Sequence, residues 1–183
     1  YPLFVLYNKS NIPGRPENLH RYNIVLKSLL AGCKFLEKSK CKFIAIPCNT
    51  AHYWFDDLQK KTKIPIISMP KEVYAHSIKT CKKSSKIGLL ATEGTIKTGV
   101  YNKFFDKKFK LINPTRLVQK NNVNKAIKLV KMGKIKEAEK AVRPAVNSLV
   151  KMKCSKIILG CTELPIAIFA FKSFQKIKKS KTF

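Results

Sequence analysis

Two rhythms of apolar residues alternate along the chain. Short runs dense in Ile, Leu and Val, such as "KIGLLA" at 86–91 and "KIILG" at 156–160, are bounded by turn-forming or charged residues. Such runs predict strands buried on both faces. Between them, apolar residues recur every three or four positions. Leu19, Tyr22, Val25, Leu26, Leu29, Leu30, Cys33 and Leu36 follow this period and predict a helix over 17–38. Read this way, the chain runs strand 2–7 ("PLFVLY"), a Pro/Gly loop, helix 17–38, strand 42–46, helix 50–61, strand 65–69 and helix 71–82. It continues with strand 86–91, a loop entering a helix over 92–101, strand 108–113, helices 115–131 and 134–152, strand 156–160, and a helix from Thr162. Gly133 lies between the two long helices, where a helix stop is expected.

Buried strands alternating with helices predict an α/β architecture with mainly parallel sheets flanked by helices. A composition shift at "TCKKSSK" (80–86) suggests two small lobes. The first spans 1–82 and the second 83–172, and a basic connection at 173–183 returns toward the first. The active site is expected in the cleft between the lobes.

The formal charge is +28 over 183 residues. Such a charge raises the possibility of a nucleic-acid partner. Only Arg15, Arg21, Arg116 and Arg143 are Arg, however; the rest of the 38 basic residues are Lys, scattered along the chain. Base and phosphate readers rely on the Arg fork, so a Lys bias on solvated faces is the expected cause. No apolar run reaches the roughly 20 residues of a membrane-spanning helix. The six cysteines show no Cys-x-x-Cys or Cys/His spacing, and the three His are dispersed, so no metal site is expected. The opening residues lack the features of a signal peptide, and reduced thiols in a cytoplasmic setting are the expectation.

Two segments carry candidate chemistry. "KFIAIPCNTAHYW" (42–54) and "KIILGCTELPIAI" (156–168) both lead an apolar strand into a cysteine, followed by Asn-Thr or Thr and then a helix. Ligands of open parallel sheets sit at the carboxyl ends of strands. A helix start favours a thiolate and also a bound carboxylate. One such cysteine suits a nucleophile. Two facing each other suit proton exchange at a carbon, one thiolate removing a proton from one face while the opposite thiol supplies one to the other. Cys33, Cys41, Cys81 and Cys154 read as small buried hydrophobes or incidental surface residues.

These residues resemble the aspartate/glutamate racemase family, in its aspartate racemase branch. The resemblance is carried by "IPCNTAH" (46–52), "GLLATEGTIKTGVY" (88–101) and "IILGCTELP" (157–165), with "YNKSNIPGR" (7–15) and "LVKMGKIKEA" (129–138) in support. It implies racemisation of an acidic amino acid without cofactor or metal, with Cys48 and Cys161 as the acid/base pair. Asn49, Thr50 and Thr162 would bind substrate carboxylate, and Arg15 and Lys131 would hold carboxylates by charge. Thr92 and Thr95 either line the cleft or cap the helix that follows. His52 reads as a dyad partner of Cys48 or as a packing residue, and Glu163 as a helix cap. The resemblance further implies a homodimer if the fold is complete. The family's opening strand and Gly-rich loop would precede this chain, and its closing strand and helix would follow it. The first lobe is therefore expected to be incomplete at both chain ends. Two other readings remain: a single-thiolate isomerase or hydrolase using Cys48, and a catalytically inactive basic, nucleic-acid-binding relative.

Overall fold

The described residues form two sheets, both parallel, and each is built from the short apolar runs of the sequence. The computed structural model describes residues 3–105 and 108–169. In chain order its elements are α1 (Tyr22–Lys38), β1 (Ile44–Ala45), α2 (Phe55–Lys60), β2 (Ile66–Ile67), α3 (Met69–Thr80), β3 (Lys86–Ala91), α4 (Glu93–Lys97), α5 (Asn102–Phe105), β4 (Lys110–Ile112), α6 (Arg116–Val118), α7 (Lys125–Lys131), α8 (Ile135–Lys151), β5 (Lys156–Gly160) and α9 (Glu163–Phe169). Short 3-10 segments precede α1 (Leu19–Arg21) and α2 (Thr50–Trp54), and a π-helical stretch, Gln119–Asn124, joins α6 to α7. The basic stretch 173–183 lies outside the described residues.

β1 pairs with β2, Ile44 opposite Ile66. β3 is the centre of the second sheet, between β4 and β5. Its residues Ile87 to Ala91 are all buried, as its unbroken apolar run requires. Along β5 the register runs from Ile87 opposite Lys156 to Ala91 opposite Gly160.

Helices cover these sheets with apolar stripes. On α8, Ala138, Val142, Ala145, Val146 and Leu149 are buried at helical spacing. They share one core with residues of α7, α9, β3 and β5. On α1, Val25, Leu29 and Cys33 pack with Ile44, Trp54, Leu58 and Ile66 in another. A third core joins α3 to the second sheet, with Tyr74 against Phe104, Phe105 and Phe109. Gly133 ends the α7 segment with φ +73°, a conformation glycine adopts without steric cost.

Two expectations are corrected. Residues 3–7 form no strand: Leu3 is 102%, Phe4 86% and Leu6 77% exposed. A strand exists through the hydrogen bonds of a neighbour, and β1 and β2 pair only with each other among the described residues. Only Tyr7 of this run finds a ring partner, Phe35, at 5.0 Å. The strand expected over 42–46 is reduced to Ile44–Ala45. Pro47 has no N–H to donate, and the Cys48 N–H turns back onto the Ile46 carbonyl at 2.7 Å, a γ-turn that bends the chain out of the sheet.

Trp54 is the keystone of the first core. It is fully buried, and its indole N–H donates to the Tyr22 carbonyl at 3.0 Å. Trp54→Ala is expected to cost about 3–5 kcal/mol, measured by urea unfolding. A loss below about 1 kcal/mol would remove Trp54 from that role.

Candidate active site

The register of β3 on β5 sets the site's geometry. The last paired residues are Ala91 and Gly160, so the residues that follow, Thr92 and Cys161, leave neighbouring strand ends side by side. The turn after β1 is brought to the same place by hydroxyl groups. Thr50 Oγ1 lies 3.0 Å from Thr92 Oγ1 and 2.8 Å from Thr95 Oγ1, and the latter two are 3.0 Å apart. Thr92 also caps α4, accepting the Thr95 N–H at 3.1 Å. It therefore does both things the sequence offered as alternatives, lining the cleft and capping the helix.

A cavity of about 80 Å³ lies at this junction. Cys48 and Cys161 both line it, as do Arg15, Asn49, Thr50, Thr92, Lys131 and Thr162. These eight candidate residues are thus brought together from five separate stretches of chain, while Thr95 and His52 do not line the cavity. A larger cavity, about 720 Å³, adjoins it and shares Pro16, Thr92 and Lys131, but carries neither cysteine. The smaller cavity is the one that both candidate cysteines line.

Arg15 reaches the site because its loop lies close against α4. A Cβ on Gly94 would come within 2.7 Å of the Pro16 Cα and 3.2 Å of Thr50 Cγ2, so glycine permits the approach. Lys131 arrives from the end of α7. The helical run that carries it is tied to the strand ends by Gln119, whose side-chain amide donates to the Ala91 carbonyl at 2.8 Å.

The two sulfurs have opposite hydrogen-bond roles. Cys48 Sγ is an acceptor, receiving the Arg15 Nε–H at 3.5 Å. Cys161 is a donor, its thiol directed at Glu163 Oε2 at 2.9 Å. Burial, and then the hydrogen bond and charge of Glu163, push the Cys161 thiol up to about 12. Burial alone would also raise the Glu163 carboxyl. Hydrogen bonds from Cys161, its own backbone N–H and Thr162, together with the Lys131 charge, outweigh it and hold that carboxyl below its ordinary value. Thr162 Oγ1 donates to Glu163 Oε2 at 3.0 Å, and Lys131 Nζ lies 3.7 Å from Oε1. Glu163 therefore binds three candidate residues at once, far more than the helix cap its sequence position suggested. Its spacing two residues after Cys161 was the only available signal.

His52 makes no dyad with the Cys48 sulfur. Its Nε2 accepts the Met69 N–H at 3.0 Å, so the proton sits on Nδ1 and is donated to the Cys48 carbonyl at 2.9 Å. Burial lowers its pKa, which keeps the ring neutral in this structural role. It fastens the start of α3 to the cysteine turn. The six cysteines are free thiols; Cys33 and Cys154 are buried in separate cores. Among the described residues no group of three His, Cys, Asp or Glu is gathered to hold a metal ion, and no helix is long and apolar enough to cross a membrane.

Comparison with known proteins bears on the family and the fold. The broad specificity amino-acid racemase RacX of Bacillus subtilis is 27% identical over 142 residues, which are 75% of this chain and 59% of RacX. The glutamate racemase of Limosilactobacillus reuteri is 33% identical over 135 residues, 72% of this chain and 48% of that enzyme. The chain thus spans roughly half to three-fifths of the length of these relatives. Among solved structures, the Picrophilus torridus aspartate racemase superimposes with a TM-score of 0.75 at 26% identity, over 94% of this chain and 71% of that one. The sequence profile of the Asp/Glu/Hydantoin racemase family matches residues 1–174, and the chain is a member of that family.

Proposed function

We propose that this chain carries the active site of a cofactor-independent racemase of acidic amino acids, aspartate foremost, with Cys48 and Cys161 as its two acid/base groups. The observation that carries the reading is the asymmetry of the two sulfurs in one cavity. Cys48 accepts a hydrogen bond from a cation, and Cys161 donates one to a carboxylate. A two-base racemase begins each turnover with one thiolate and one thiol, and these environments suit Cys48 to the first and Cys161 to the second.

In the proposed step the Cys48 thiolate removes the Cα proton. The Cα–H bond breaks and an S–H bond forms, leaving the carbon with its electron pair. Cys161 delivers its proton to the opposite face, and its sulfur is left as thiolate. The new thiolate then faces the Glu163 carboxylate, with Lys131 the nearby positive charge. This repulsion favours return of a proton to Cys161, which reloads the site. Arg15, Lys131, Asn49, Thr50 and Thr162 are assigned to the substrate carboxylates. Their donors and charges oppose the negative charge that builds at Cα.

Support for aspartate comes from the Picrophilus torridus structure and from the Cys-Thr-Glu-Leu form at 161–164. Glutamate is the second reading, favoured by the Limosilactobacillus reuteri relative and by the adjoining cavity that shares Lys131. The ratio of kcat/KM for the two substrates decides between them.

Proton–deuteron exchange at Cα of L- and D-aspartate in heavy water tests the reaction. Cys48→Ala and Cys161→Ala are each expected to lower racemisation by about 10²–10⁴-fold. An active Cys161→Ala protein, with a covalent adduct on Cys48, would point instead to single-thiolate chemistry. No exchange by the wild type with either acidic amino acid sinks the racemase reading.

A second expectation concerns pH. Glu163 raises the pKa of the Cys161 thiol, so Glu163→Gln should let it ionise at lower pH. Racemisation needs that proton, so the alkaline limb of kcat/KM should move toward neutral pH. The two enantiomers must move together, because they are equal in free energy and their kcat/KM values are equal. An alkaline limb that stays in place would remove Glu163 from the proton-holding role.

A further inference from the structure

Asn49 has a buried partner that the sequence motifs do not foreshadow. Tyr101 is 1% exposed and sits 52 residues further along the chain, and its hydroxyl lies 2.6 Å from Asn49 Oδ1. The Tyr101 ring is packed in the third core with Ile87, Leu89, Ala91 and Phe105. Burial pushes its pKa upward, so the phenol keeps its proton. That proton needs an acceptor, and Asn49 Oδ1 is the one it has. If the Asn49 amide were turned over, its NH₂ would face the phenol oxygen and the phenol proton would be buried without an acceptor.

The consequence falls on the other half of the amide. Asn49 is itself 5% exposed and lines the thiol cavity. Its side chain makes no capping hydrogen bond to the 3-10 segment that follows. Among the described residues its Nδ2 has no protein partner, while its oxygen is taken.

We infer that Tyr101 is a positioning and specificity-determining residue: by occupying Asn49 Oδ1 it holds the amide so that only N–H donors are offered to a ligand in the cavity. A site that presents donors alone at this point takes an oxygen acceptor, and an anionic carboxylate best of all. A ligand group that must itself donate a hydrogen bond there is rejected. Without Tyr101 the amide turns freely and offers an acceptor as readily as a donor. The inference rests on the assignment of Asn49 to substrate carboxylate and adds the device that orients it.

Tyr101→Phe removes the hydroxyl and keeps the ring in its core. With L-aspartate the variant is expected to raise KM about tenfold and to leave kcat within about twofold, as expected when binding shared by ground and transition states is lost. In an Asn49→Ala background the same substitution should change nothing further, because Tyr101 acts through Asn49. A purely structural tyrosine would instead lower stability and add its loss to that of Asn49→Ala. Asn49→Asp keeps the shape and the Tyr101 contact but turns an acceptor toward the ligand, so it should impair aspartate turnover more than Asn49→Ala does. An unchanged KM in Tyr101→Phe, losses that add in the double variant, or an Asn49→Asp protein better than Asn49→Ala would each overturn the inference. A readout independent of turnover is the ¹⁵N side-chain amide resonance of Asn49 in the full chain, identified by its loss in Asn49→Ala. Tyr101→Phe should shift it; an unmoved resonance counts against the contact. Should the wild type exchange no Cα proton, the racemase reading fails, while this resonance still decides the Tyr101 contact.

Discussion

Three threonine hydroxyls connect the two sheets beside the cavity that both cysteines line. Thr50 follows β1, Thr92 and Thr95 follow β3, and their Oγ1 atoms lie 2.8–3.0 Å from one another. A hydroxyl both donates and accepts, so three of them can close a ring that satisfies each member away from water. Thr50 is 2% and Thr95 1% exposed, and a missing partner there would leave a buried polar group unsatisfied. The β3–β5 register then carries the position onward. Ala91 opposite Gly160 sets Thr92 beside Cys161. Cys48, two residues before Thr50, is delivered to the same cavity as Cys161 by hydrogen bonds on one side and strand pairing on the other.

On this frame the environment, more than the residue type, differentiates the two cysteines. Each follows a strand and precedes a helical segment, and each is followed by polar residues. One receives a guanidinium N–H from a loop held close by Gly94, and the other meets a carboxylate two residues ahead. The large positive charge of the chain has little part in this. Among the described residues most lysines are exposed, where water and salt screen them. Arg15 and Lys131 matter because the fold brings them to the cavity wall.

Much of the architecture was legible. β3 and β5 coincide with the apolar runs at 86–91 and 156–160, because a strand covered on both faces needs an unbroken apolar stretch. α8 follows its 3.6-residue stripe, and Gly133 ends the preceding helical run. The run at 3–7 has the same local character as a strand and forms none, since local pattern supplies the apolar residues but not the neighbouring backbone. At the site, Cys48 and Cys161 could be singled out because two strand ends carry the same short motif. His52 could not be resolved: a residue four positions after a cysteine can face its sulfur or its carbonyl, and here Met69, distant in sequence, decides.

By itself, the sequence determined the parallel α/β class, the pair of cysteine turns and the set of polar residues available to them. These depend on local period, on turn chemistry and on short motifs. Only the tertiary structure decided which sulfur accepts a hydrogen bond and which donates one, that Glu163 holds a thiol, and that Tyr101 fixes the orientation of Asn49. The Cys161–Glu163 contact spans only two positions and turns on the backbone conformation after β5, whereas the others depend on residues far apart in the chain, Arg15 with Cys48 and Asn49 with Tyr101. No local pattern encodes such contacts, because the separation that matters to a hydrogen bond is measured in ångströms through space and not in positions along the chain.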